Sequence, residues 1–153
     1  MNTKSFWTAV AAVFVVSMGY EFLVHGVILT NQFYKSMPAL FLSMGGGGRE
    51  IVWLQRSGIY LAGALFALFF TYIYTRNVEG RGWMGEGFRY GVLVWGLAFL
   101  PLDVGMYSWS AFPGRLLKWW IIYGFIECVI LGWVCAAIYR APAAAGQTRS
   151  AAA

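Results

Sequence analysis

Glu21 and His25 stand four residues apart in an apolar stretch running from Ser5 to Leu29. That spacing puts both side chains on one face of a helix. A carboxylate beside an imidazole can pass a proton, ligate a metal ion or hold a polar solute. In hydrocarbon such groups are costly, so they face a bundle interior, a partner or a wet cavity, and they mark a functional site. Asp103, Glu127 and Arg56 are further ionisable residues within apolar surroundings.

The elements that must carry these residues follow from composition. With 60% hydrophobic, 19% aromatic and only 11% charged residues, the 153-residue chain avoids water over most of its length. A water-soluble domain is excluded as the main reading. Four apolar stretches, about 5–29, 51–74, 88–109 and 116–139, each approach the roughly 20 residues that a spanning helix needs. The expectation is an all-α, four-transmembrane-helix bundle over residues 1–141, followed by a flexible Ala-rich tail at 142–153. The first stretch exceeds the roughly 7 to 15 apolar residues of a signal-peptide core, so it is expected to be a spanning helix.

Lys4, Arg76, Arg81, Arg89, Arg140 and Arg149 fall on one side of this topology, against Lys35, Arg49, Arg56, Arg115 and Lys118 on the other. Counting Lys and Arg at helix ends then puts both termini in the cytoplasm, by one residue. The net charge of +5 fits anchoring to anionic lipid, and no basic, aromatic-interleaved surface indicates nucleic acid. An integral protein of a bacterial inner membrane is expected.

Cys128 and Cys135 are a heptad apart on the fourth helix, too far for a disulfide, and read as small packing residues. Gly124, Cys128, Gly132 and Ala136 recur every four residues, a stripe that lets another helix approach closely. Gly63 with Ala67 and Gly87 with Gly91 are shorter versions.

The connections differ in character. Residues 30–50 contain a semi-apolar segment, Tyr34 to Met44, read as lying on the membrane through Phe33, Phe41 and Leu42. Gly45 to Gly48 form a hinge or turn; a phosphate cradle would need a following Lys-Ser or Lys-Thr, which is missing. Arg76 to Arg89 read as a solvated loop anchored by Trp83 and Phe88, and Ser110 to Arg115 as a tight turn around Pro113 and Gly114. The second and fourth helices end alike, in Ile73-Tyr74-Thr75-Arg76 and Ile138-Tyr139-Arg140. Two tandem helix hairpins with an insertion at 31–48 would explain this echo, and so would chance.

Depth along each helix brings Glu21, His25, Asp103 and Arg56 towards one membrane face, with Glu127 about midway. Pro101 should kink the third helix beside Asp103. Tyr107 and Tyr123 stand four residues from Asp103 and Glu127 and offer each acid a same-face phenol, while Ser17 lies one turn below Glu21. Three readings of the layer stay open. It is a structural network in which Arg56 pairs with an acid; or a metal site of Glu21, His25, Asp103 and Glu127; or a path for protons or a small solute. The di-iron pattern would want two Glu-x-x-His motifs, and the chain has Glu-x-x-x-His once. No cofactor is required by the sequence. Ser57 and the cysteines have no recognisable base, because the only histidine is on the first helix, so an enzymatic role is not expected.

The segments Glu21-Phe-Leu-Val-His25-Gly26, Glu79-Gly-Arg-Gly-Trp83, Glu86-Gly-Phe-Arg89 with Gly91, Glu127 with Gly132, and Ile138-Tyr139-Arg140-Ala-Pro142 resemble a group of small uncharacterised bacterial four-helix membrane proteins. The resemblance implies four helices and a polar layer, and no activity. The small extramembrane surface favours an accessory or assembly subunit of a larger membrane complex, or a homo-oligomer. A small channel or transporter is the alternative.

Overall fold

The computed structural model describes residues 2–37, 53–80 and 82–139, with backbone alone at 53–56. It is all-helical, with no strand among the described residues. Four helices are long and apolar enough to cross a membrane: α1 (Thr3–Gln32), α2 (Trp53–Arg76), α3 (Trp83–Trp109) and α4 (Gly114–Ile138). At about 1.5 Å per residue, 24 residues of α2 span about 36 Å, enough for a hydrocarbon core of about 30 Å. α1 starts at an Asn2 cap whose side chain accepts the Ser5 N–H. The Ala-rich tail lies outside the described residues, as do Gly45 to Gly48, Phe41 and Leu42.

α3 begins at Trp83 rather than near Phe88, so the expected solvated loop is shorter than its polar composition indicated. Gly80, at φ +76°, makes the turn that only glycine adopts freely, and Gly82 then caps the helix. Glu86 falls in the first turn, where a carboxylate complements the helix dipole.

α1 packs on α2 and α4, and α4 packs most extensively on α3. The tightest approach is backbone to backbone. A Cβ placed on Gly87 would lie 2.7 Å from the Gly132 carbonyl oxygen, and one on Gly91 would strike the Cys128 carbonyl. Gly124 plays a different part, meeting the Phe99 ring, while Gly63 faces the Met18 and Phe14 side chains. Both cysteines are buried and free. One apolar cluster, with Val13, Phe70, Tyr90 and Leu131, fills the end where α1 starts; another, with Val24, Leu29 and Leu116, fills the opposite end.

Two stretches depart from α geometry, Phe22–Leu29 in α1 and Trp95–Phe99 in α3, where the helix widens to π form. Pro101 has no N–H for the Leu97 carbonyl, and the π stretch ends with the Leu100 N–H reaching back five residues to Trp95. In α1 the Thr30 hydroxyl donates to the His25 carbonyl at 2.6 Å, satisfying an acceptor. Of the segment expected to lie on the membrane, only the residues up to Met37 are described. A 3₁₀ turn, Tyr34–Ser36, folds Tyr34 back among the residues of the second cluster.

Gly91→Ala and Gly132→Ala should each lower the thermal stability of detergent-purified protein by about 1–3 kcal/mol, because backbones must separate. Gly96→Ala, where a Cβ meets nothing within 4 Å, should leave it unchanged or raise it. Equal losses at all three positions would contradict the close α3–α4 contact.

Candidate functional site

The centre of the site is Glu127, 3% exposed at mid-length of α4. One of its oxygens accepts the Ser17 hydroxyl at 2.8 Å, and the Glu21 carboxyl lies against it, within hydrogen-bonding reach. Two carboxyls joined in this way need one proton between them. Ser17 was expected to serve Glu21, one turn above it on α1. It serves Glu127 instead, since the packing of α1 on α4 turns the hydroxyl across the helix interface.

From Glu21 the contacts continue outwards. His25 Nε2 lies 3.6 Å from Glu21 Oε2, and His25 Nδ1 lies 2.7 Å from the Tyr34 hydroxyl. The Trp120 indole N–H, which can only donate, reaches the Tyr34 oxygen at 2.9 Å. Burial pushes the Tyr34 phenol up to about 12, so it keeps its proton at neutral pH. Separately, the Tyr20 hydroxyl donates to the Tyr123 carbonyl at 2.8 Å, tying α1 to α4.

These groups border a cleft of about 260 Å³ with walls from α1 and α3 and a floor from α4. Glu21, His25, Asp103 and Glu127 supply its polar lining; Tyr20, Phe99, Trp120 and Tyr123 supply aromatic surface. Three carboxyls and one imidazole, with no Lys or Arg among the described lining residues, make the cleft receptive to positive charge. Asp103 is 8% exposed and has no hydrogen-bond or ion-pair partner among the described residues.

The expected layer is thus brought together in part. Tyr107 is 70% exposed and lies outside the cleft. The Tyr123 phenol does not bond to Glu127; its ring stacks on Trp119 at 5.5 Å. The Arg56 side chain lies outside the described residues. No three His, Cys, Asp or Glu side chains converge as a metal site requires, among the described residues. Tyr34, Trp120 and Tyr20 escaped sequence reasoning. Trp120 stands seven residues before Glu127, a same-face spacing that could have found it, whereas nothing local foretells the fold-back of Tyr34.

A second polar group occupies the opposite end. Arg89 pairs with Glu86 at 2.8 Å and Glu79 at 3.0 Å, and the Glu79 N–H donates to Glu86. These charges were expected to be solvated. Glu86 is in fact 1% exposed, because the glycine contact draws the first turn of α3 against α4. Beside it, the Tyr90 hydroxyl donates to the Phe70 carbonyl of α2.

Compared with known protein families, curated proteins and solved structures, the chain matches none.

Arg89→Ala takes from the buried Glu86 the cation that stands 2.8 Å away and should cost stability, up to about 3–5 kcal/mol. Adding Glu86→Gln should recover part of that loss. Thermal unfolding of the single and double variants in detergent measures both, and additive losses would mean that Glu86 and Arg89 act independently.

Proposed function

We propose that this protein binds a small organic cation in the acid-lined cleft, as the solute site of a small channel or transporter. Asp103 carries the reading: a nearly buried carboxyl without a described partner faces a cleft that already holds a carboxyl pair. A cation in the cleft gives Asp103 its counter-charge and meets aromatic faces suited to cation–π contact. Glu21, Glu127 and His25 hold exchangeable protons beside it, so a proton can leave as a cation enters. Towards the other end, the apolar cluster around Val13 and Leu131 closes the route beyond Ser17.

The setting we infer is a bacterial inner membrane with both termini in the cytoplasm, on the excess of one Lys or Arg, which puts the cleft in the outer half of the bilayer. Packing of α1 on α2 and of α3 on α4 supports a bundle of two tandem hairpins.

A second reading, an accessory subunit of a larger complex or a homo-oligomer, is favoured by α3. Its outward side exposes Leu97 (82%), Tyr107 (70%) and Trp109 (72%), a surface that lipid or another helix can cover.

Calorimetric titration of the purified protein with ethanolamine should show saturable binding that weakens as pH falls, because protons compete for the carboxyls. Glu21→Gln and Asp103→Asn should each weaken it at least about tenfold, a loss of about 1.4 kcal/mol, while the yield of assembled protein stays near wild type. Loss of the protein itself would instead make the layer a structural network. Native mass measurement in mild detergent tests the second reading: stoichiometric foreign subunits or a defined multimer would support it, and a lone monomer would remove it.

A further inference from the structure

Asp103 lines two spaces. Besides the acidic cleft, it borders a cavity of about 340 Å³ between the end of α3 and the start of α4. Val104, Leu117, Ile121 and Ile122 give this cavity apolar walls, and Lys118 is the only cation among the described lining residues. Lys118 is exposed and has no ion pair among the described residues. Asp103 lies six residues before the end of α3 and Lys118 four after the start of α4. At about 1.5 Å per residue the two are therefore about 9 Å and 6 Å from the same membrane face. One carboxylate and one ammonium stand at similar depth, beside apolar walls on one hand and the cation-receptive cleft on the other.

We propose that the cation taken by the cleft is the ammonium head of an aminophospholipid. Its ammonium group lies at Asp103 and the Glu21–Glu127 pair, its phosphate at Lys118, and its hydrocarbon along Leu117, Ile121 and Ile122. This inference rests on the cation-binding reading of the cleft and names the ligand class. A free amine would leave Lys118 and the apolar cavity unused. An anionic lipid without an amine would set its charge against Asp103. A choline head has no N–H to donate to the carboxylates.

The test uses the full chain in detergent, with phosphatidylethanolamine, phosphatidylcholine, phosphatidylglycerol and free ethanolamine as probes. Bound lipid is read by native mass spectrometry, and affinity by thermal shift and calorimetry. Phosphatidylethanolamine should bind one to one, at least about tenfold more tightly than the other two lipids and than ethanolamine. Lys118→Ala should weaken the lipid about tenfold and leave ethanolamine binding unchanged, whereas Asp103→Asn should weaken both. Should Asp103→Asn not assemble, displacement of the lipid by excess ethanolamine from the wild-type protein decides whether they share the site. Ethanolamine binding as tightly as the lipid, equal binding of the three lipids, or indifference to Lys118→Ala would overturn the lipid inference and leave the cation site standing. Binding of neither ethanolamine nor phosphatidylethanolamine would overturn both.

Discussion

A carboxyl group buried away from water must be met by another polar group, and at Glu127 that requirement governs the surrounding structure. Ser17 meets it from α1, at 2.8 Å across the helix interface, and Glu21 meets it from one turn further along. For both to do so, α1 must lie on α4 in one rotation and one register. That register then sends His25 to Tyr34 and Trp120, and Tyr20 to the Tyr123 carbonyl. A few contacts, each of about 1 kcal/mol, specify the pairing more than they strengthen it.

The α3–α4 contact obeys a different constraint. Lipid tails compete equally for apolar side chains, so close association relies on backbone proximity, and the glycines at 87, 91 and 132 provide it. Their closeness has an electrostatic consequence. It buries Glu86, which is tolerable because Arg89 stands one turn away and bonds to both Glu86 and Glu79. Small residues and a compensated ion pair therefore secure the same end of the α3–α4 contact.

At the other end α3 is less confined, and there the cavities open. The π stretch before Pro101 changes the rotation of the last turns of α3, and the one in α1 begins just after Glu21. Such widened turns cost hydrogen-bond quality and recur at functional sites. Here both flank the cleft, one next to Glu21 and His25 and the other next to Asp103. The described residues thus fall into a firmly packed half and a cleft-bearing half.

Much was legible in the chain itself. Four apolar stretches imply four helices because hydrocarbon leaves no other way to satisfy the backbone of a segment of that length. The small-residue stripe foretold an intimate contact, and the acids and histidine within apolar runs marked the polar layer. The tertiary structure decided which group meets which. Ser17 and Glu127 are 110 residues apart, and no local spacing can pair them. Tyr34 belongs to the site because the chain after α1 turns back, and Tyr107 lies outside it, on the second cavity between α3 and α4. Glu86 reads as solvated within a polar, glycine-rich run, yet it is buried once α3 meets α4. Periodicity and apolar length act within one helix and are written in its residues. Rotation, register and partner choice arise between helices, from close packing and from the need to satisfy every buried charge.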